Sequence, residues 1–153
     1  MSVEAKITEL GVDIPLPPQP VGAYVPCLIS GNLAITSGQL PMVEGALLYR
    51  GKLGRDFSVD EGYKAARICA LNCLGVLKST LGSLDKIKRI IKVTGFVHSE
   101  NDFYDQPKVI NGASELLGEL FGDKGKHARS AVGVNSLPLG AAVEIEMMVE
   151  LES

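Results

Sequence analysis

Arg129 and Glu144 are the two side chains of this sequence best suited to hold and transform a small acid. A guanidinium grips a carboxylate as a fork, through two parallel N–H···O bonds, and a glutamate that geometry keeps off that fork is free to accept a proton as a general base. Arg129 is the second residue of the string ARSAVGVN, and Glu144 is the first acid of VEIE. Together they make a plausible site for a small carboxylic acid. On pattern alone, the glutamate row reads first as the ordinary solvent face of a strand, and a lone arginine at a strand start is usually a surface charge.

The elements around these residues must bring them together. From Val143 onward, Val143, Ile145, Met147, Val149 and Leu151 alternate with Glu144, Glu146, Met148, Glu150 and Glu152, the signature of a half-buried strand. Residues 128–135 also read as a strand, and Leu137-Pro-Leu-Gly140 supplies a proline and a glycine for the connection. Paired as a hairpin, the two would put Arg129 and the glutamates in one sheet.

Upstream, two strands, 24–29 and 33–37, are joined by a turn at Ser30-Gly31-Asn32. A polar segment, 44–57, follows as a loop carrying Tyr49, Arg50, Lys52 and Arg55. Ser58-Val-Asp-Glu61 is a capping box, and Ala66, Cys69, Ala70, Cys73, Leu77 and Leu81 recur at helical spacing up to a stop at Gly82. Residues 87–98 are rich in β-branched side chains and read as a strand with Lys88 and Lys92 on its more exposed side. A second helix starts near Asp105 and Pro107, buries Ile110, Ala113, Leu117 and Leu120, and ends at Gly122. The order ββαβαββ implies an α+β fold, a mixed sheet with both helices on one face. Residues 1–20, with Pro15, Pro17, Pro18 and Pro20, are expected to form an extended arm.

Composition narrows the class. A chain of 153 residues with 46% hydrophobic and 22% charged residues suits one globular domain, residues 1–153, and a net charge of −3 gives no reason to expect a polyanion partner. The N-terminus lacks the pattern of a signal peptide and no apolar run approaches a membrane span, so a soluble cytoplasmic protein is expected. Three cysteines make no secreted framework. Cys69 and Cys73 have a spacing compatible with metal ligands, but neither His98 nor His127 lies nearby in sequence, and buried apolar residues are the better reading. No glycine run has nucleotide-binding spacing. The cluster Lys86, Lys88, Arg89 and Lys92, with Lys124, Lys126, His127 and Arg129, is the strongest argument for RNA, set against an acidic balance overall.

The string ARSAVGVNSLP followed by VEIE resembles the signature of the RidA/YjgF family of enamine/imine deaminases, also labelled endoribonuclease L-PSP or translation initiation inhibitor. VGAYVP at 21–26, TSGQLP at 36–41, NDF at 101–103 and VINGASELL around Asn111 agree in order, so the resemblance runs from about residue 21 to the C-terminus. It implies a chorismate-mutase-like fold assembled as a homotrimer, with a cleft at each subunit interface. Arg129 would anchor the carboxylate of 2-aminoacrylate or a related 2-imino acid. Glu144 would orient the water that attacks the imine carbon, releasing ammonia and a 2-keto acid. Tyr24, Ser37, Gly38 and Asn111 fall at the family's pocket positions, and no metal or organic cofactor is implied. Ala131 is a further substrate-binding position, standing where many members carry a cysteine: a backbone contact there survives the change while a thiol role is put in doubt, and the 44–57 loop is longer than in the best-known members. An RNA-binding ribonuclease and a non-catalytic, small-carboxylate-binding trimer are the alternatives.

Overall fold

Ser58 begins the longest element of the structure, a computed structural model that describes residues 1–18 and 22–153. The Ser58 hydroxyl accepts from the Glu61 N–H and the Glu61 carboxylate accepts from the Ser58 N–H, closing the capping box on helix α2, Val59–Leu81. The helix ends at Gly82, whose positive φ of 87° turns the chain out. Helix α3, Gln106–Phe121, packs beside it through Gly112, where a methyl group would collide with the Tyr63 carbonyl.

Both helices cover one face of a five-stranded sheet. Its strands are β1 (Cys27–Ser30), β2 (Leu33–Thr36), β5 (Ile87–His98), β6 (Ala128–Val134) and β7 (Val143–Leu151), in the spatial order β1-β2-β7-β5-β6. Val93, Val97, Val143, Ile145, Met147 and Val149 turn inward to meet Leu74, Leu77, Ile110, Leu116 and Leu117, all of them buried. Full burial of each of the larger aliphatics contributes about 1.5–3 kcal/mol. Among the described residues no further layer covers the other face, where Leu28 and Val132 stay 59% and 43% exposed. The α+β architecture and the ββαβαββ order of the main sheet match expectation.

Three expectations need correction. Residues 128–135 and the last strand do not form a hairpin: among the described residues β6 pairs with β5 alone, in parallel, while β7 pairs antiparallel with β5 and β2, so β5 separates them. The cause is the crossover, because a helix between β5 and β6 returns the chain parallel to where it started. Within the 44–57 loop, Ala46–Leu47 (β4) pairs with Met42–Val43 (β3) as a small separate ribbon. The supposed extended arm begins as a helix, α1 (Val3–Leu10), capped by Ser2 and closed by Gly11 in the left-handed region.

Helix α1 is held by Glu4. Its carboxylate accepts from the Leu84 N–H (2.8 Å), the Lys78 ammonium (2.9 Å) and the Ser83 hydroxyl, while Val3 and Ile7 enter the core. Gln19, Pro20 and Val21 lie outside the described residues, and with them the last proline of the arm and the first residue of VGAYVP. Among the described residues, no helix is long and apolar enough to cross a membrane.

Candidate functional site

Arg129 pairs in register with Val93 on the helix-covered face of the sheet, so its side chain runs toward α3 and not toward the open face. There Nη1 donates to Asn111 Oδ1 (2.8 Å) and to Ser114 Oγ (3.2 Å). Both Nη1 protons are thereby used. Among the described residues nothing in the protein accepts from Nε or Nη2, and this edge of the guanidinium is the one whose two parallel N–H groups fit a carboxylate. Asn111, Ser114, Gly118, Gly125, Lys126, His127 and Arg129 line an open cleft of about 370 Å³. Ala131, two residues on and on the same face, packs against the core.

Of the lining residues beyond Asn111 and Arg129, Ser114 and His127 bear directly on the arginine, and neither was expected from the sequence as a pocket residue. Ser114 Oγ lies 2.9 Å from His127 Nε2, and His127 Nδ1 lies 2.6 Å from the Gly125 carbonyl oxygen. A signal for both existed. Ser114 is one helical turn from Asn111, and His127 is two residues before Arg129, the spacing that puts extended side chains on one face.

Glu144 belongs to the opposite face. It pairs through Phe96 with Val132, the open row, so β5 lies between it and β6 and the sheet itself lies between it and the Arg129 side chain. The two residues are separated by about 10 Å across the strands and about as much along them. A single chain therefore does not bring them into one pocket. Burial pushes the Glu144 carboxyl above its ordinary value of 4.5, and the charge of Glu146 pushes the same way, with no hydrogen-bond donor among the described residues to oppose them.

Gly38 makes room for that carboxylate, since a methyl group there would collide with Glu144 Oε2. The segment is fixed next to β7 by Gln39, which exchanges backbone hydrogen bonds with Ile145, while Ser37 donates its N–H to the Pro26 carbonyl and its hydroxyl to that of Val25. Tyr24 adjoins this segment and is 60% exposed. The structure thus sorts the expected residues into two groups: Tyr24, Ser37, Gly38 and Glu144 at β2 and β7, and Arg129 and Asn111 at β6 and α3, with Ala131 beside them.

The other candidates separate cleanly. Cys69 and Cys73 are fully buried, with thiols facing the Val143 and Ile145 carbonyls, and burial pushes the Cys73 thiol up to about 12. Arg89, Lys126 and His127 line a shallow basic cleft of about 430 Å³ between the starts of β5 and β6. Part of the basic cluster is neutralised, Lys126 by Asp123 at 3.3 Å and Lys124 by Glu152 at 4.0 Å.

Comparison with known proteins gives a consistent placement. Residues 4–151 match the family model described as "YjgF/chorismate mutase-like, putative endoribonuclease". Protein TCP17 of Trypanosoma cruzi is 43% identical over 152 residues, spanning 99% of this chain and 95% of its own. A 2-iminobutanoate/2-iminopropanoate deaminase of Dermatophagoides farinae is 32% identical over 142 residues, spanning 92% of this chain and 95% of its own. Among solved structures, a "putative endoribonuclease" from Shewanella oneidensis superposes with a TM-score of 0.94 at 36% identity, covering 99% of this chain and 100% of its own.

Proposed function

The chain belongs to the YjgF/chorismate mutase-like family, and on that premise we propose that it is a hydrolytic deaminase of reactive enamine and imine intermediates, acting on 2-aminoacrylate-like 2-imino acids. Arg129 anchors the substrate carboxylate through its Nε–Nη2 edge. Glu144 accepts a proton from water as the oxygen bonds to the imine carbon. Glu144 returns that proton to the nitrogen, and the C–N bond of the tetrahedral adduct breaks as its hydroxyl passes its own proton to the departing nitrogen, releasing ammonia and leaving the carbonyl of a 2-keto acid. A carboxylate whose proton affinity is raised is a stronger base for that step.

The observation that carries this reading is the complementary incompleteness of the two groups. Among the described residues, nothing accepts from the Nε–Nη2 edge of Arg129 and nothing donates to the Glu144 carboxylate, and the two lie on opposite faces of one sheet. We therefore place the working site between subunits of a cytoplasmic homotrimer, with Glu144, Gly38, Ser37 and Tyr24 of one copy facing Arg129 and Asn111 of the next. The uncovered sheet face, with Leu28 and Val132, provides apolar surface for such an assembly. The relative named as a 2-iminobutanoate/2-iminopropanoate deaminase supports the substrate class.

The test supplies 2-iminobutanoate generated in situ by a threonine dehydratase and follows acceleration of 2-ketobutanoate and ammonia release, with light scattering on the same sample. Acceleration by a particle of about three times 16.2 kDa is expected; an inert protein, or a fully active monomer, would overturn it. A second reading, an RNA-binding ribonuclease, draws on the basic cleft of Arg89, Lys126 and His127 and on the endoribonuclease label of the Shewanella relative. It requires single-stranded RNA binding that weakens steeply with salt and cleavage that survives rigorous purification. The third, a non-catalytic trimer that binds small carboxylates, requires ligand binding at Arg129 without turnover.

A further inference from the structure

We infer that Ser114 and His127 are positioning residues for Arg129, a hydrogen-bond chain that fixes the plane of its guanidinium and presents the Nε–Nη2 edge to the ligand. The inference rests on the reading of Arg129 as a carboxylate anchor. The direction of every bond follows from its ends. The Gly125 carbonyl can only accept, so the 2.6 Å contact requires a proton on His127 Nδ1. At the other end Arg129 Nη1 can only donate, so Ser114 Oγ accepts across the 3.2 Å contact. The Ser114 hydroxyl proton then goes to His127 Nε2, 2.9 Å away, an acceptor in this tautomer. A doubly protonated ring would leave that hydroxyl proton without this acceptor.

The sequence of donors is therefore Arg129 to Ser114 to His127 to the Gly125 carbonyl, with Asn111 Oδ1 taking the second Nη1 proton. Its acceptors and donor at the arginine end sit on regular elements, α3 holding Asn111 and Ser114 and β6 holding Arg129, while Gly125 and His127 lie in the short connection between them. Gly118 leaves the cleft open, since a methyl group there would touch nothing within 4 Å. A guanidinium on a long side chain otherwise samples many orientations, and a fork that must meet two oxygens at once loses affinity when its plane is free. His127 thus affects how well the substrate is held and not the bond-making step.

The experiment uses the full chain and four forms: wild type, Ser114→Ala, His127→Ala and His127→Gln. Glutamine offers a carbonyl to accept from Ser114 and an N–H for Gly125, so it is the conservative rescue. Without any ligand, ¹⁵N NMR of wild type is expected to show the Nδ1–H tautomer at His127 and slowly exchanging Arg129 Nη protons. Those protons should be lost in both alanine variants and restored by glutamine. The Nε2–H tautomer, or Arg129 signals indifferent to His127, would overturn the inference. With imine generated in situ, both alanine variants are expected to raise KM roughly five- to tenfold while kcat stays within about twofold, and glutamine to restore KM. An equal fall in kcat would also overturn it. If wild type hydrolyses no imine, pyruvate titration by NMR replaces KM, and a guanidinium still ordered by His127 leaves this inference standing while the deaminase reading fails.

Discussion

Glu4 and Glu144 are both carboxylates drawn partly out of water, and they respond in opposite directions. At Glu4 burial raises the proton affinity, but the Leu84 N–H, the hydrogen bond and charge of Lys78, and the Ser83 hydroxyl outweigh it, so its carboxyl titrates below its ordinary value. At Glu144 burial raises it, Glu146 raises it further, and no donor answers. One carboxylate is fully used in fastening α1 to the end of α2, and the other is held in reserve. A carboxylate built to hold the fold collects donors, whereas one built to take a proton is kept from them.

The largest test of that contrast is Glu144→Gln, which preserves shape but removes the proposed base. Turnover should fall by roughly 10²–10⁴-fold, and thermal unfolding at neutral pH should not move to lower temperature. The sign follows from the raised folded-state affinity: Glu144 favours the folded state only below its ordinary value of 4.5, and that contribution is lost as pH rises through the folded value. A Glu144→Gln protein that unfolds more easily at neutral pH would show that Glu144 serves the fold after all.

Arg129→Ala should come next, with kcat/KM lower by about 30- to several thousand-fold, from about 2–5 kcal/mol of lost charged hydrogen bonding. Lysine should rescue it poorly because a point charge cannot form a fork. Glu4→Ala should do the reverse, leaving turnover intact while costing about 1–2 kcal/mol of stability, read as a lower denaturant midpoint. Its contribution is present above the unfolded value and lost as pH falls through the depressed folded one, so wild type and variant should converge in acid. The smallest effect belongs to Glu146→Gln, which removes one of the two causes raising Glu144 and should shift the acid limb of the pH–rate profile to lower pH.

Much of the fold was legible because its signals are local. Helix α2 announces itself by Ser58, Glu61 and Gly82, and β7 by its alternation, since burial on one face dictates the period. Helix α1 was not, because eight residues are marginal alone and depend on Glu4 reaching Leu84 and Lys78, contacts about 80 positions away in the chain. The pairing of β6 and β7 was misjudged for a similar reason. The eight residues 135–142 are long enough to carry the chain past β5, and nothing local states that they do. Arg129 and Glu144 could be nominated by type, but their faces depend on registers with β5 that neither strand encodes alone.

If the working site lies between subunits of a trimer as proposed, the placement of Arg129 and Glu144 on opposite faces of β6, β5 and β7 has a genetic corollary. Two alleles, one lacking the arginine and one lacking the glutamate, would each encode a dead protein, yet chains of both kinds in one cell would assemble mixed rings. Wherever the neighbours fall in the right order, an intact arginine meets an intact glutamate. Random mixing would return roughly a quarter of normal activity, whereas both lesions on a single allele would leave its partner chains nothing to complement.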